Sequence, residues 1–138
     1  MEATIVLAED EPQLRGLYVE WLRRSGFRVH EAADGGEALA QVRAVRPDLL
    51  ILDLWMPVLN GLEVVEHLAR SSEAVGLRIV ILSHQDDAET RLEGFSLGIA
   101  DYWTKDLSLA ELLARIAMVL GSPPSGPGAS EAEAEVDG

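Results

Sequence analysis

The sequence has no cysteine and no long apolar run, and these absences exclude several classes of protein. A chain without cysteine forms no disulfide, no thiolate metal site and no cysteine nucleophile. No apolar run approaches the roughly 18 residues that a membrane span needs, and no basic region precedes the first apolar run, as it would in a secretory signal. We therefore expect a soluble, cytoplasmic protein.

Basic residues are also scarce. The 138 residues include 24 Asp and Glu but only 11 Lys and Arg, which gives a net charge of −13. Binding to nucleic acid requires clustered Lys and Arg, so we expect no direct contact with DNA or RNA. An acidic chain of this length suits a single domain with a carboxylate site for a divalent cation.

Five short apolar runs alternate with five segments of helical pattern. Unbroken apolar runs are typical of strands buried on both faces of a parallel sheet, whereas the second run alternates and predicts an edge strand. The pattern predicts an α/β fold, a doubly wound five-stranded parallel sheet of the flavodoxin type with strand order 2-1-3-4-5. The predicted strands are 4–8, 27–31, 49–52, 77–82 and 100–104.

The predicted helices carry start signals and apolar faces. Asp34, Asn60 and Ser108 each precede a Glu by three residues, which is the spacing of a capping box. The fourth helix, near 86–97, contains poor helix formers, so we expect it to move most easily. Its expected apolar face is Ala88, Leu92 and Phe95, and that of the first helix is Leu14, Leu17, Tyr18, Trp21 and Leu22.

The last segment, 122–138, consists of Pro, Gly, Ser, Ala and acids, with Val136 as its one large apolar residue. Such a composition buries too little apolar surface to offset the entropy lost on ordering. We predict a folded domain over 1–121, followed by a disordered tail or linker.

Polar side chains follow four of the predicted strands. Glu9 and Asp10 come after the first, Asp53 after the third, Ser83 after the fourth and Lys105 after the fifth. These strands are neighbours in the order 2-1-3-4-5, so all five side chains should meet at one edge of the sheet. Three adjacent carboxylates repel one another unless a cation compensates, and hard oxygen ligands favour Mg²⁺.

This set of groups suits phosphoryl transfer. The Lys105 ammonium can hold one phosphoryl oxygen and the Ser83 hydroxyl can donate to another. Asp53, expected to be ionised at pH 7, is the candidate nucleophile.

Residues 3–121 resemble a bacterial two-component response-regulator receiver domain of the CheY-like family. The loop Asp53-x-x-Met56-Pro57-x-x-Asn60-Gly61 is similar to the family's loop. The other matching positions are the acidic pair Glu9 and Asp10, the hydroxyl residue Ser83, the switch aromatic Tyr102 and the lysine Lys105.

The resemblance implies that a sensor histidine kinase or phosphotransfer protein phosphorylates Asp53 with the help of Mg²⁺. It implies that Asp10 binds the metal directly, Glu9 through water, and Trp55 through its backbone carbonyl, with Asp53 as a further metal ligand. The module would act as a switch with no turnover activity beyond its own phosphorylation and dephosphorylation.

The resemblance also implies how the signal leaves the domain. Phosphate on Asp53 would draw Ser83 inward, and Tyr102 would follow. This reshapes the face formed by the fourth helix, fifth strand and fifth helix, which would contact an output domain or downstream protein. The same face allows at most a weak homodimer, because Glu93 and Ser96 stand where a basic and an acidic residue are expected.

Two features depart from the family pattern. Asp106 follows Lys105 where the family usually has proline after a cis bond, so the bond is either strained or trans. His84 stands where a small residue is usual. It is either a plain surface residue or, with Trp55, a bulky group that hinders the attacking water and prolongs phosphorylation.

Other functions remain open. A receiver that no longer accepts phosphate would serve only as a protein-binding scaffold. A phosphohydrolase of the haloacid-dehalogenase type needs an acid two residues after its nucleophile, where this chain has Trp55. A flavodoxin-like cofactor binder is disfavoured because the loop after the first strand is acidic.

Overall fold

The structure is a computed structural model that describes residues 2–121. The predicted tail, 122–138, lies outside the described residues. Strands and helices alternate along the chain, and a short 3₁₀ helix, Ser72–Ala74, precedes the fourth strand. The strands are β1 (Thr4–Ala8), β2 (Arg28–Ala32), β3 (Leu49–Asp53), β4 (Arg78–Ser83) and β5 (Asp101–Thr104). The helices are α1 (Pro12–Arg24), α2 (Gly35–Val45), α3 (Gly61–Ala69), α4 (Ala88–Ser96) and α5 (Leu109–Leu120).

The five strands form one parallel sheet in the order β2-β1-β3-β4-β5, so the predicted fold is confirmed. β3 lies at the centre and all five of its residues are buried. β2 is an edge strand, as its alternating sequence predicts. β1 matches its predicted range, and β3 and β5 each differ from the prediction by one residue at one end. β2 and β4 each begin and end one residue later than predicted.

Apolar side chains form one core on each face of the sheet. Residues of α2 and α3 pack on one face and residues of α1 and α5 on the other. Successive residues of a strand point to opposite faces. Tyr102 and Trp103 of β5 therefore belong to different cores.

The helix start signals behave largely as predicted. The capping boxes at Asn60 and Ser108 are confirmed, with both reciprocal hydrogen bonds present. At α2 the Asp34 side chain accepts from the backbone N of Glu37, but the Glu37 carboxylate accepts from Ala33 N instead of closing the box. The Asp87 side chain also accepts from the backbone N of Glu89 at α4, so side-chain caps hold the starts of four helices.

The predicted face of α1 is partly wrong. Leu17 is 41% exposed, whereas Val19, absent from the predicted stripe, is buried. Tyr18 and Leu22 are buried as predicted, and Trp21 is half-buried with its ring edge against Tyr18. The buried arc is rotated because the tilt of a helix on the sheet is set by tertiary packing, which the apolar period alone does not specify.

The predicted apolar face of α4 is wrong. Leu92 and Phe95 are 72% and 40% exposed, and Gly94 is the one buried residue of the helix. A Cβ at Gly94 would lie 2.6 Å from Cδ1 of Ile99. The helix therefore approaches the sheet through a residue without a side chain, which leaves its large apolar groups facing outward.

Candidate functional site

Three carboxylates converge at the carboxyl edge of the sheet. Glu9 and Asp10 follow β1 directly, and Asp53 is the last residue of β3. One carboxylate oxygen from each lies within 4.8 Å of the other two. Glu9 and Asp53 are 2% and 5% exposed, while Asp10 is exposed. The arrangement gives two buried acids and one that faces the solvent.

Lys105 provides the positive charge of this site. Its Nζ lies 2.7 Å from Oε1 of Glu9 and 3.1 Å from Oδ1 of Asp53. The Lys105 backbone N donates to the carbonyl of Ser83 at 2.8 Å, which fixes the residue beside the end of β4. The bond between Lys105 and Asp106 is trans, and residues 2–121 contain no cis peptide bond. The lysine side chain nevertheless reaches both buried acids.

Burial and neighbouring charges shift the pKa of Asp53 and that of Lys105. Burial, followed by the charge of Glu9, raises the pKa of Asp53 from 3.8 to about 7 even though Lys105 opposes the shift. Burial alone would lower the pKa of Lys105, but its hydrogen bonds to Glu9 and Asp53 raise it. With these neighbours Asp53 is only partly ionised at neutral pH. The raised pKa opposes the expected ionisation of Asp53, and a cation in the pocket would favour it.

The connection after β3 brings a helix start against Asp53. The Gly61 N donates to the carbonyl of Leu54 at 2.8 Å. A Cβ at Gly61 would lie 2.8 Å from the backbone oxygen of Asp53, so the position requires glycine. Within the same loop Val58 has φ = 71°, a left-handed conformation that is strained for a β-branched residue.

A small cavity lies beside Leu54 and Trp55, the two residues that follow Asp53. Its volume is about 250 Å³. Ser83 is 3% exposed and its Oγ accepts from the backbone N of Gln85 at 3.4 Å. Trp55 is 67% exposed and His84 is also exposed. The cavity is lined by Leu54, Trp55, Ser83, His84, Gln85 and Asp87.

Tyr102 of β5 is buried, and its side chain contacts α4 and the loop that precedes it. It is 2% exposed, and its hydroxyl donates to the carbonyl of Gln85 at 3.0 Å. The Arg91 guanidinium stands 5.4 Å from the centre of the ring. Trp103 is buried as well, and its Nε1 donates to Asp101 at 2.8 Å. The Asp101 carboxylate is thus engaged within its own strand.

The sequence analysis missed Arg15, which touches the acidic loop. Its guanidinium donates to the backbone carbonyl of Glu9 at 2.8 Å and to Oε1 of Glu31 at 3.2 Å. The sequence gives a weak indication of this contact. Arg15 is the first basic residue after the acidic loop and lies about one helical turn beyond Pro12.

The donor set fits Mg²⁺. Within the described part of the chain, Glu9, Asp10 and Asp53 are the one group of three potential metal-binding side chains. All three offer carboxylate oxygens, and Mg²⁺ typically binds one or two carboxylates together with water and phosphate oxygens. The exposed Asp10 beside the buried Asp53 leaves room for such water ligands.

Comparison with known proteins places this geometry in a family. The family model described as "Response regulator receiver domain" matches residues 5–117. The chain belongs to this family. Receiver domains of response regulators are signalling modules, and the acidic pocket of this one fits the family's phosphorylation site.

Curated relatives of this receiver domain include a transcriptional regulatory protein and a response regulator. It is 34% identical over 135 residues to the phosphate regulon transcriptional regulatory protein PhoB of Pseudomonas aeruginosa, covering 98% of this chain and 58% of PhoB. It is 37% identical to the response regulator MprA of Mycolicibacterium vanbaalenii, covering 97% of this chain and 57% of MprA. The receiver domain thus spans about half the length of the curated relatives it matches.

Solved structures share the fold of this receiver domain. The chemotaxis response regulator CheY4 of Vibrio cholerae superimposes with a TM-score of 0.81 and 29% identity, over 86% of this chain and 99% of CheY4. The receiver domain of the Francisella response regulator 1452 gives 0.79 and 27%, over 87% and 98%. In the described part of the receiver no helix is both long and apolar enough to cross a membrane.

Proposed function

We propose that Asp53 accepts a phosphoryl group from the phosphohistidine of a partner kinase or phosphotransfer protein, and that the receiver then acts as a switch. The observation that carries the proposal is the convergence of Glu9, Asp10 and Asp53 within 4.8 Å, with Lys105 3.1 Å from Asp53. These residues come from three separate strand ends. Their types and positions suit the transfer of a charged phosphoryl group.

Each residue has a distinct task in the proposed reaction. A carboxylate oxygen of Asp53 attacks phosphorus, so that a P–O bond forms as the P–N bond to the partner histidine breaks. Lys105 and the Ser83 hydroxyl hold phosphoryl oxygens. Asp10 and Asp53 would bind Mg²⁺, with Glu9 acting through water and Trp55 through its carbonyl. Bound there, the ion would supply neutralisation of the charge on the phosphoryl oxygens.

The electrostatic state of Asp53 supports a role for the cation. Burial and Glu9 hold the pKa of Asp53 near 7, so a divalent ion in the same pocket favours the ionised carboxylate. A larger fraction of Asp53 would then be ionised, and so nucleophilic, when a divalent ion occupies the pocket. Reaction and metal binding would in this way be coupled.

We propose that the signal leaves through α4, β5 and α5. α4 buries only Gly94, and its Leu92 and Phe95 side chains face outward. Few buried contacts make a helix easy to displace. A shift of Ser83 towards a phosphoryl group on Asp53 would move the loop around Gln85, whose carbonyl holds the hydroxyl of Tyr102.

A titration followed by tryptophan fluorescence tests this function. Mg²⁺ is added first and beryllofluoride, a phosphoryl mimic, second, while Trp55 beside the pocket reports on both steps. Mg²⁺ should also raise the melting temperature, because a ligand that binds only the folded state stabilises it.

The control for this titration is Asp53→Asn, which removes the acceptor carboxylate and should abolish the beryllofluoride step. A parent protein that responds to neither Mg²⁺ nor beryllofluoride would support the scaffold alternative. Steady hydrolysis of a small phosphoester would instead favour the phosphohydrolase.

A further inference from the structure

Arg15 is hydrogen-bonded to the loop after β1, which carries Glu9 and Asp10. From the first turns of α1 its guanidinium reaches back six residues to the carbonyl of Glu9, at 2.8 Å. Its Nε donates to Glu31 of β2 at 3.2 Å. The Arg15 side chain is 18% exposed, so its contacts are largely shielded from water.

The Glu9 carbonyl has no partner in the sheet, because β1 ends at Ala8. On the other side of the same residue, the Glu9 N donates to Ala32 O at 3.0 Å. The chain therefore leaves the sheet at the Glu9 carbonyl, and Arg15 fixes the direction in which it leaves. That direction sets where Asp10 stands relative to Asp53.

We propose that Arg15 is a positioning residue for the metal pocket: it holds the Glu9 carbonyl so that the carboxylates of Glu9 and Asp10 face Asp53. This inference rests on the proposed function. Groups that orient metal ligands without touching the ion commonly change metal affinity about 10–100-fold when they are removed.

A role through charge and a role in positioning predict opposite changes in Mg²⁺ affinity when Arg15 is removed. If Arg15 acted only through its charge, its removal would make the pocket more negative and Mg²⁺ binding tighter. If Arg15 positions the loop, its removal lets the acids spread and Mg²⁺ binding becomes weaker. Lysine keeps the charge but lacks the planar fork that reaches two acceptors at once.

The chain offers a matched control on the same helix. The guanidinium of Arg23 donates to the carbonyl of Val29, six residues away, at 2.9 Å. This bond has the same chemistry and the same sequence separation as that between Arg15 and Glu9. It lies at the opposite end of α1, far from the acidic loop.

The experiment measures the Mg²⁺ dissociation constant of the full chain by tryptophan fluorescence, together with thermal unfolding in the absence of metal. We expect Arg15→Met to raise the dissociation constant about tenfold. Arg15→Lys should also weaken binding, and Arg23→Met should leave it unchanged while losing similar thermal stability. Glu31→Gln should weaken Mg²⁺ binding less than Arg15→Met does. The double variant should have the same Mg²⁺ dissociation constant as Arg15→Met alone.

An Arg15→Met variant that binds Mg²⁺ as tightly as the parent, or more tightly, would overturn the positioning role. If that variant does not fold, Arg15→Lys decides, and parental affinity in the lysine variant overturns the role as well. A parent protein that does not bind Mg²⁺ at all would instead overturn the proposed function itself.

Discussion

The ammonium of Lys105 lies 2.7 Å from the carboxylate of Glu9, although the two residues are 96 positions apart in the sequence. Both side chains are almost fully buried, at 6% and 2% exposure. A buried ion pair has a high desolvation cost, and it becomes strongly destabilising when one partner is removed. Lys105 therefore contributes to the stability of the pocket as well as to its proposed chemistry.

The first prediction concerns the loss of this cation. Lys105→Met leaves Glu9 and Asp53 without their positive partner, so we expect the free energy of unfolding to fall by about 3 kcal/mol in metal-free buffer. Mg²⁺ should restore part of the loss. Urea denaturation with and without Mg²⁺ measures both effects.

Arg24→Met serves as the control, because its pair with Glu20 is exposed at both ends. That change should cost less than about 1 kcal/mol. Equal losses in the Lys105 and Arg24 variants would contradict the buried-pair interpretation.

The second prediction is a pH dependence that arises from Asp53. Burial and Glu9 raise its pKa from 3.8 to about 7. Between these values the folded protein keeps a proton that the unfolded chain releases, so the contribution of Asp53 to stability decreases as pH rises from 4 to 7. Asp53→Asn lacks this dependence. In metal-free buffer the variant should gain stability relative to the parent across that range.

Urea denaturation at several pH values gives the difference in unfolding free energy between the variant and its parent. The other ionisable groups are common to both proteins and largely cancel. A difference that stays constant, or that decreases with pH, would mean that Asp53 is not protonated in the folded protein.

The third prediction concerns the lifetime of the phosphorylated state. His84 and Trp55 line the same cavity together with Leu54, the residue after Asp53. With a phosphoryl group on Asp53, these two side chains would obstruct a water molecule that attacks phosphorus. We expect His84→Ala to lose phosphate faster than the parent, as measured by the decay of radiolabelled phosphoprotein. His67→Ala, an exposed change on α3, is the control. Equal decay rates in all three proteins would leave His84 as a plain surface residue.

The fourth prediction tests the strain at Val58. Its φ of 71° and the hydrogen bond from Leu59 N to Pro57 O describe a tight γ-turn, and its side chain is 75% exposed. Val58→Gly should raise the free energy of unfolding by roughly 0.5–1 kcal/mol, because relief of the left-handed strain exceeds the entropy that glycine loses on folding.

The comparison for this change is Val75→Gly, a substitution at an exposed valine without positive φ. It should lower stability, since only the entropy cost remains. Destabilisation of similar size at both positions would show that the Val58 backbone is not strained.

The sequence was sufficient to predict the fold and the residues of the pocket. Buried parallel strands require unbroken apolar runs, and parallel strands joined by helices all end at one edge of the sheet. The positions of Asp10, Asp53 and Lys105 at three strand ends therefore indicated where they would meet. Helix starts were also predictable, because a cap depends on residues only three apart.

Other features depended on packing between distant segments. The exposure of Leu92 and Phe95 follows from the close approach of Gly94 to Ile99, which no local pattern encodes.

The sequence by itself determined which chemical groups reach the edge of the sheet, because strand ends and helix starts are encoded by residues a few positions apart. Only the tertiary structure decided that Lys105 touches Glu9, that Arg15 holds the Glu9 carbonyl, and that burial raises the pKa of Asp53. These properties depend on distances of a few ångströms and on the exclusion of water. Both arise when segments far apart in the chain pack together.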